Sequence, residues 1–395
     1  MIDCVQQGIL RLVHSAITGE AMPLPEGFDL TQAMPVIKAH QIGNLVYYGA
    51  ANGGIDTKIP VMQELFAVTY KCMITDERQR KELKRLMEAF DANGIHYMPV
   101  KGVLMKALYP KTDMRIMGDA DILIKFDQYD RIQPLMEQLG YTFKVETDHE
   151  LVWDHPSLHL ELHRRLMPDY NVDFARYYGD CWRLGKVSAD NSCRYEMTEE
   201  DHMIFLFLHF AKHYRNGGIG IRHMLDLYVY KKAKSGMDED YIARELQKMQ
   251  MYDFYCNIMK TLLVWFENAE ADQKTELITQ RIFLSGAYGS NAGRNVFEAV
   301  RDRAANGMSA KQIQRKSWLH AIFLPYPNMC ISYPVLKKAP VLLPAMWVVR
   351  WVQILLERPQ VIIKHRNKVR NLNAEKLDTW ESQMNAVGLA FEFKE

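Results

Sequence analysis

The sequence predicts an α+β protein in which a small mixed β-sheet core is flanked by N-terminal and C-terminal helical regions. Three observations predict it. Apolar residues recur at three- and four-residue steps up to residue 92, short β-type runs alternate with helix signals between residues 95 and 165, and helical spacing returns from Thr198. The chain has 395 residues, which as a soft expectation is about two to three domains.

The elements follow in order. Residues 1–92 read as a helical segment, in which "VMQELFAVTYKCMITDERQRKELKRLMEAFDANG" offers Leu65, Val68, Cys72, Leu83, Leu86 and Phe90 on a helical period, with Gly94 as a stop. Residues 93–195 read as the core. "IHYMPV" predicts a strand, Lys101-Gly102 opens a helix closed at Pro110, and "DADILI" predicts the next strand. Asp127 is then expected to cap "QYDRIQPLMEQL", which Gly140 ends. "YTFKVET", "ELVW" and the strictly alternating "SLHLELHRRL" predict antiparallel strands around the turn "DHP". Residues 196–310 read as helices, opened by the capping-box-like "TEED" and interrupted by the loop "GGIGI". Residues 311–395 form a Pro- and Trp-containing basic helical region, whose longest apolar run is broken by Pro344 and Arg350 and is shorter than the ~20 residues that span a bilayer.

Composition narrows the class. Six cysteines are scattered with no C-x-x-C pair, which argues against a zinc knuckle or a disulfide framework. The N-terminus lacks the basic and continuous apolar regions of a secretory signal, so a cytoplasmic protein is expected. Net charge is +1, yet residues 311–370 hold eleven Lys/Arg against the single acid Glu357. Two readings of that segment stand: solvated cations on a helical pack, or a surface for an anionic membrane or another polyanion, making the protein peripheral to a membrane. Nucleic acid fits less well, because no nucleic-acid-binding module accompanies the cations.

The chemistry concentrates in "RIMGDADILI". On a strand, Asp119 and Asp121 share a face roughly 6–7 Å apart, where two carboxylates repel unless a cation intervenes. Mg²⁺ suits oxygen ligands of this kind. Alternation in "HLELH" places His159, Glu161 and His163 on one face, and Glu161 can complete a three-carboxylate site in two-metal outline. The two histidines read as outer groups or ordinary strand-face residues, with a transition-metal site around Glu161 as a competing reading. His209 and His213 are four apart on a helix, but no H-E-x-x-H glutamate lies between them, so zinc-hydrolase chemistry is not indicated.

"VKGVLMKALYPKTDMRIMGDADILI" followed by "HLELH" resembles the nucleotidyltransferases of the polymerase-β superfamily, and within it the uncharacterised bacterial group with K-G, R-x-x-G-D-x-D and E-L-H motifs. The resemblance implies transfer of a nucleoside monophosphate from an NTP, ATP first among them, to an acceptor hydroxyl (small molecule, sugar or protein) with release of pyrophosphate. It implies Mg²⁺, or Mn²⁺, on Asp119, Asp121 and Glu161, nucleotide contacts from Lys101, Gly102, Arg115 and Gly118, and a tight turn at Gly118. His209, His213, Arg222 and Asp226 would form a second wall of the cleft, with a structural polar network as the competing reading. One departure stands out: where the superfamily has Gly-Ser at a helix start, this chain has Gly102-Val103, so phosphate contacts fall to Lys101, backbone N–H groups and Arg115. A catalytically inactive nucleotide-binding or scaffold protein with a basic tail is the alternative.

Overall fold

The computed structural model describes residues 2–169, 171–370 and 372–389. Met1, the terminal stretch 390–395 and the side chain of Lys368 therefore lie outside the described residues. The chain divides into two compact units, Met1–Gly289 with the stretch from Ala386, and Ser290–Asn385. The division falls about twenty residues before the 310/311 boundary that the sequence suggested.

The first unit opens with helices α1 (Cys4–Thr18), α2 (Leu30–His40), α3 (Gly43–Asn52) and the long α4 (Pro60–Ala92). Helix α1 is set by a reciprocal capping box, Asp3 with Gln6, and ends on Gly19 at φ 76°. It crosses α3 so closely that a Cβ at Gly49 would lie 1.8 Å from the carbonyl oxygen of Leu12. The Ser15 hydroxyl donates to the Gly49 carbonyl (3.2 Å) at the same crossing.

The sheet then assembles from β1 (Tyr97–Val100), β2 (Ala120–Ile124), β3 (Thr142–Glu146), β4 (Glu150–His155), β5 (Leu158–His163), β6 (Gly185–Ser188) and β7 (Asn191–Met197). Its seven strands run in the order β3-β4-β5-β2-β1-β7-β6. β2 lies antiparallel to β1 and parallel to β5, and β3-β4-β5 form an antiparallel meander. Strands β6 and β7 were not anticipated; they form a polar, half-exposed hairpin at one end of the sheet, with β6 as the edge, and their side chains carry little apolar alternation. The core lies between one face of the sheet and two helices: Leu83, Leu86 and Phe90 of α4 and Ile132, Leu135 and Met136 of α6 (Tyr129–Gln138) cover Ile122, Ile124, Leu160 and Leu162. Burying each such side chain contributes about 1.5–3 kcal/mol.

Two local expectations need correction. The helix after Lys101 is only Gly102–Met105 (α5), followed by a 3₁₀ turn over Lys106–Leu108, so it is far shorter than a helix running to Pro110. Asp127 does not cap the following helix: a 3₁₀ turn over Phe126–Gln128 intervenes, and Gln128 precedes α6 without a side-chain cap. Its amide instead bonds the backbone of His96.

After α7 (Val172–Tyr178) and the β6-β7 hairpin, the first unit closes with α8 (Glu199–Arg215), α9 (Ile221–Ala233), α10 (Glu239–Lys248), α11 (Tyr252–Phe266) and α12 (Gln273–Ser285). Thr198 caps α8 through the Asp201 amide, as the "TEED" signal predicts. The second unit holds α13 (Asn291–Asn306), α14 (Ala310–Ile322), α15 (Tyr326–Ser332), α16 (Leu343–Glu357), α17 (Gln360–Arg370) and α18 (Ala374–Ala386).

Candidate active site

The site begins with strand register. Parallel pairing of β2 with β5 sets Asp121 directly beside Glu161, while antiparallel pairing of β1 with β2 sets Val100 beside Asp121. Lys101 therefore emerges next to the same carboxylate. Its backbone has φ 51° and ψ −121°, a strained conformation for a residue with a Cβ, costing on the order of 1–3 kcal/mol. The twist aims the ammonium at Asp121, with Nζ 2.5 Å from Oδ1.

His163 completes the cluster. Its Nε2 lies 2.8 Å from Asp121 Oδ1 and 3.5 Å from Glu161 Oε2. Ligand atoms of Asp121, Glu161 and His163 all fall within 4.8 Å of one another. Behind His163 stands Glu150, with Oε2 at 3.8 Å from Nδ1; His149 Nε2 holds Glu150 at 3.1 Å, and its Nδ1 meets Asp148 at 2.9 Å. Asp119, just before β2, is exposed beside this buried group.

Electrostatics split the aspartates. Burial alone would raise Asp121, but the Lys101 charge and the His163 hydrogen bond outweigh it and hold the carboxyl well below the ordinary range. Asp119 shifts the other way, through desolvation and then the charges of Asp121 and Glu161. Burial opposes the charge on Lys101, yet the surrounding carboxylates raise its pKa. The cluster thus already holds a cation, and Asp121, Glu161 and the His163 imidazole form a donor set that a divalent metal fits.

The loop carrying R-x-x-G-D is bolted to the N-terminal helices. Asp76 of α4 accepts from Lys106 (2.5 Å), Thr112 (2.6 Å) and Arg80 (3.0 Å), Gln79 donates to the Met117 carbonyl (2.9 Å), and Asn44 of α3 donates to the carbonyls of Asp113 and Met114. The first 92 residues are in this sense the support of the site.

Arg115 does not behave as the sequence suggested. Arg115 is turned inward: Nε and Nη2 grip Asp226 at 3.1 and 2.9 Å, Nη1 donates to the Ile116 carbonyl at 2.6 Å, and Tyr109 shares Asp226 at 2.7 Å. Its clamp on α9 leaves it a positioning residue instead of a free phosphate contact, and Asp226 is its counterion instead of an open cleft wall. Arg222, one helical turn before Asp226, is 6% exposed, yet its one hydrogen bond runs to the Ile116 carbonyl at 3.4 Å and its Nε has no partner. Two guanidinium groups thus converge on one carbonyl while Asp226 neutralises only the first. A buried cation left in this state favours an anion.

Gly118 corrects another expectation. Its φ is not positive, and a Cβ there would find nothing nearer than the Tyr288 hydroxyl at 4.0 Å, so no tight turn requires glycine. The space beside it is open, and Arg222 lies over the Tyr288 ring at 6.0 Å. Gly102 is the crowded one: a Cβ would press on Met117 (3.2 Å) and Arg115 Nη1 (3.4 Å).

Helix α8 faces the carboxylates. Phe205 lies under the Lys101 ammonium at 5.9 Å, and the His209 and His213 Nε2 atoms are 3.0 Å apart. Burial, then the Lys101 charge, hold His209 well below the usual imidazole range. Between the histidines, burial and Lys101 push Lys212 down to about 8, while Asp121, Glu150 and Glu161 pull the other way. Lys212 and Glu150 escaped the sequence reading, since a lone lysine on a helix carries no signal; His163, read from alternation as an outer group, lies within the cluster. His159 is outside the cluster, bound to Asp154 at 2.5 Å.

Comparison with known proteins adds the following. A family model described as an uncharacterised nucleotidyltransferase matches residues 26–267. The chain is similar, at 12% identity and a TM-score of 0.33, to the solution structure of the antibiotic-resistance factor ANT(2'')-Ia, over 49% of this chain and 100% of that one. No curated protein matches it.

Proposed function

The chain belongs to that family of uncharacterised nucleotidyltransferases, and on this premise we infer that it transfers a nucleoside monophosphate from an NTP to an acceptor hydroxyl in the cleft around Asp119, Asp121 and Glu161. The observation that carries the reading is the β2-β5 register, which sets Asp121 and Glu161 side by side with Asp119 at the rim.

Asp121 and Glu161, with the His163 imidazole within reach and Asp119 added from the rim, would hold a divalent metal; Mg²⁺ or Mn²⁺ suits the carboxylates. Such a metal neutralises charge at the triphosphate and steadies the leaving group. The rest falls to the chain's own side chains. Arg222, short of a counterion, binds a phosphate oxygen in the open space beside Gly118, and Lys101 and Lys212 add positive charge. Arg115, clamped on Asp226, keeps α9 and the Gly118 loop in register. The acceptor oxygen attacks the α-phosphorus, its proton passes to Glu161, a new O–P bond forms, and the bond to the β-phosphate oxygen breaks to release pyrophosphate. Glu150, itself bonded by His149, sets a carboxylate 3.8 Å from His163 Nδ1.

The test is to incubate the protein with each α-labelled NTP and Mg²⁺ or Mn²⁺, with and without cell extract, beside the double variant Asp119→Ala, Asp121→Ala. Label reaching an extract component with wild type alone supports the reading. Transfer unchanged in the double variant defeats the site assignment, and NTP binding without transfer under any condition favours the non-catalytic alternative.

A further inference from the structure

Helix α16 of the C-terminal unit is apolar over most of its surface, with Arg350, Gln353 and Glu357 its polar residues. One side is satisfied: Leu343, Met346 and Trp347 seat on a small core of Met329, Cys330 and Leu336. The indole N–H groups of Trp347 and Trp351 donate to the carbonyls of Leu324 and Ile322, both at 2.9 Å, so the helix is fixed in its rotation. The opposite side has no partner among the described residues. Ala345, Val348, Val352 and Leu355 follow one another at steps of three, four and three, all exposed, with Leu356 beside them and Val341 in the 3₁₀ turn just before the helix. Exposure reaches 64% at Val348 and 79% at Leu356. An aliphatic stripe of this continuity exceeds the scattered apolar residues of an ordinary surface.

Charge brackets the stripe. Lys337 and Lys338 precede it, and Arg358, Lys364 and Arg366 follow it, all exposed. Among the described residues none of these five forms an ion pair. Glu357 is the only acid between residues 311 and 370.

We propose that the C-terminal unit docks on an anionic membrane surface, with the outer stripe of α16 lying in the plane of the interface and the flanking cations on acidic lipid headgroups. Spanning is excluded by geometry. Although Pro340–Glu357 is long and apolar enough by composition to cross a membrane, the helix itself is Leu343–Glu357, about 22 Å at 1.5 Å per residue, against a hydrocarbon core of ~30 Å. Arg350 lies mid-helix, donating to the Ala321 carbonyl at 2.8 Å. An interfacial helix needs only one face immersed by ~5–10 Å, with cations at the headgroup level. A second copy of the chain is a poor occupant, because a symmetric contact would bring two strongly basic segments together. A nucleic acid would match the cations but leave the aliphatic stripe in water.

The full chain is sedimented with phosphatidylcholine vesicles, and with vesicles containing about one-third phosphatidylserine, at roughly 50 and 500 mM NaCl. Wild type is expected to bind the phosphatidylserine vesicles at low salt and to release at high salt. Val348→Asp with Leu355→Asp, and separately Lys337→Glu with Lys338→Glu, should each weaken partitioning by at least about tenfold. Circular dichroism and the melting temperature of these surface variants should match wild type. The proposal is overturned by absence of binding at low salt, by either variant binding as wild type does, or by a wild-type dimer that the aspartates dissociate and vesicles do not bind.

Discussion

Replacing Arg222 by Met should separate nucleotide binding from folding. In the free protein this guanidinium is buried with one long hydrogen bond and, among the described residues, no carboxylate partner. Its removal therefore gives back a desolvation penalty and leaves nothing unpaired, so unfolding stability should stay within about 1 kcal/mol of wild type or rise. Bound to phosphate, the same group makes charge-assisted hydrogen bonds worth about 1.5–3 kcal/mol, so NTP affinity should fall roughly 10- to 150-fold. Arg115→Met provides the contrast. It strips the counterion from buried Asp226 and leaves Tyr109 sharing an unneutralised carboxylate, which should cost about 3–5 kcal/mol of stability. Denaturant unfolding gives the stabilities and titration calorimetry with ATP and Mg²⁺ the affinities. Equal destabilisation by both substitutions, or unchanged nucleotide affinity in Arg222→Met, would refute the assignment of these two arginines.

Three further outcomes follow from other parts of the structure. Burial, with Lys234 adding to it, pushes His202 down to about 4 from 6.5; the folded protein resists protonation there, so this contribution is complete above pH 6.5 and lost as pH falls toward 4, about 3 kcal/mol in all. His202→Gln should flatten the stability profile across that window, as pH-dependent denaturation would read. Gly49→Ala forces a methyl against the Leu12 carbonyl at the α1–α3 crossing, and should lower stability by about 1–3 kcal/mol or more in chemical denaturation. Lys101→Gly suits the φ of 51° and removes the ammonium from Asp121, so calorimetry should find Mn²⁺ bound more tightly while nucleotide binding weakens.

Much of the arrangement was legible because it rests on periods of two and 3.6. The strand alternation in "DADILI" and "HLELH" is enough to put Asp121 and Glu161 on facing positions once their strands are neighbours, and the structure makes them parallel partners. What could not be read was which cation each acid would take. Arg115 and Arg222 look equivalent in sequence, yet Asp226 neutralises one alone, a choice made by helix placement across more than a hundred residues. Lys101 gave no hint of its positive φ, and His163 owes its burial to Glu150 and His149 on β4 and the turn before it. The β6-β7 hairpin was invisible because half-exposed polar strands lack the apolar alternation that marks a strand facing the core.

The most direct measurement is to follow ATP labelled at the α- or the γ-phosphorus through a single turnover in wild type and in Glu161→Gln. The α-label should join the acceptor, the γ-label should leave in pyrophosphate, and both should stop in the variant. Transfer of the γ-label to the acceptor, or an unimpaired Glu161→Gln protein, would contradict nucleotidyl transfer at this site.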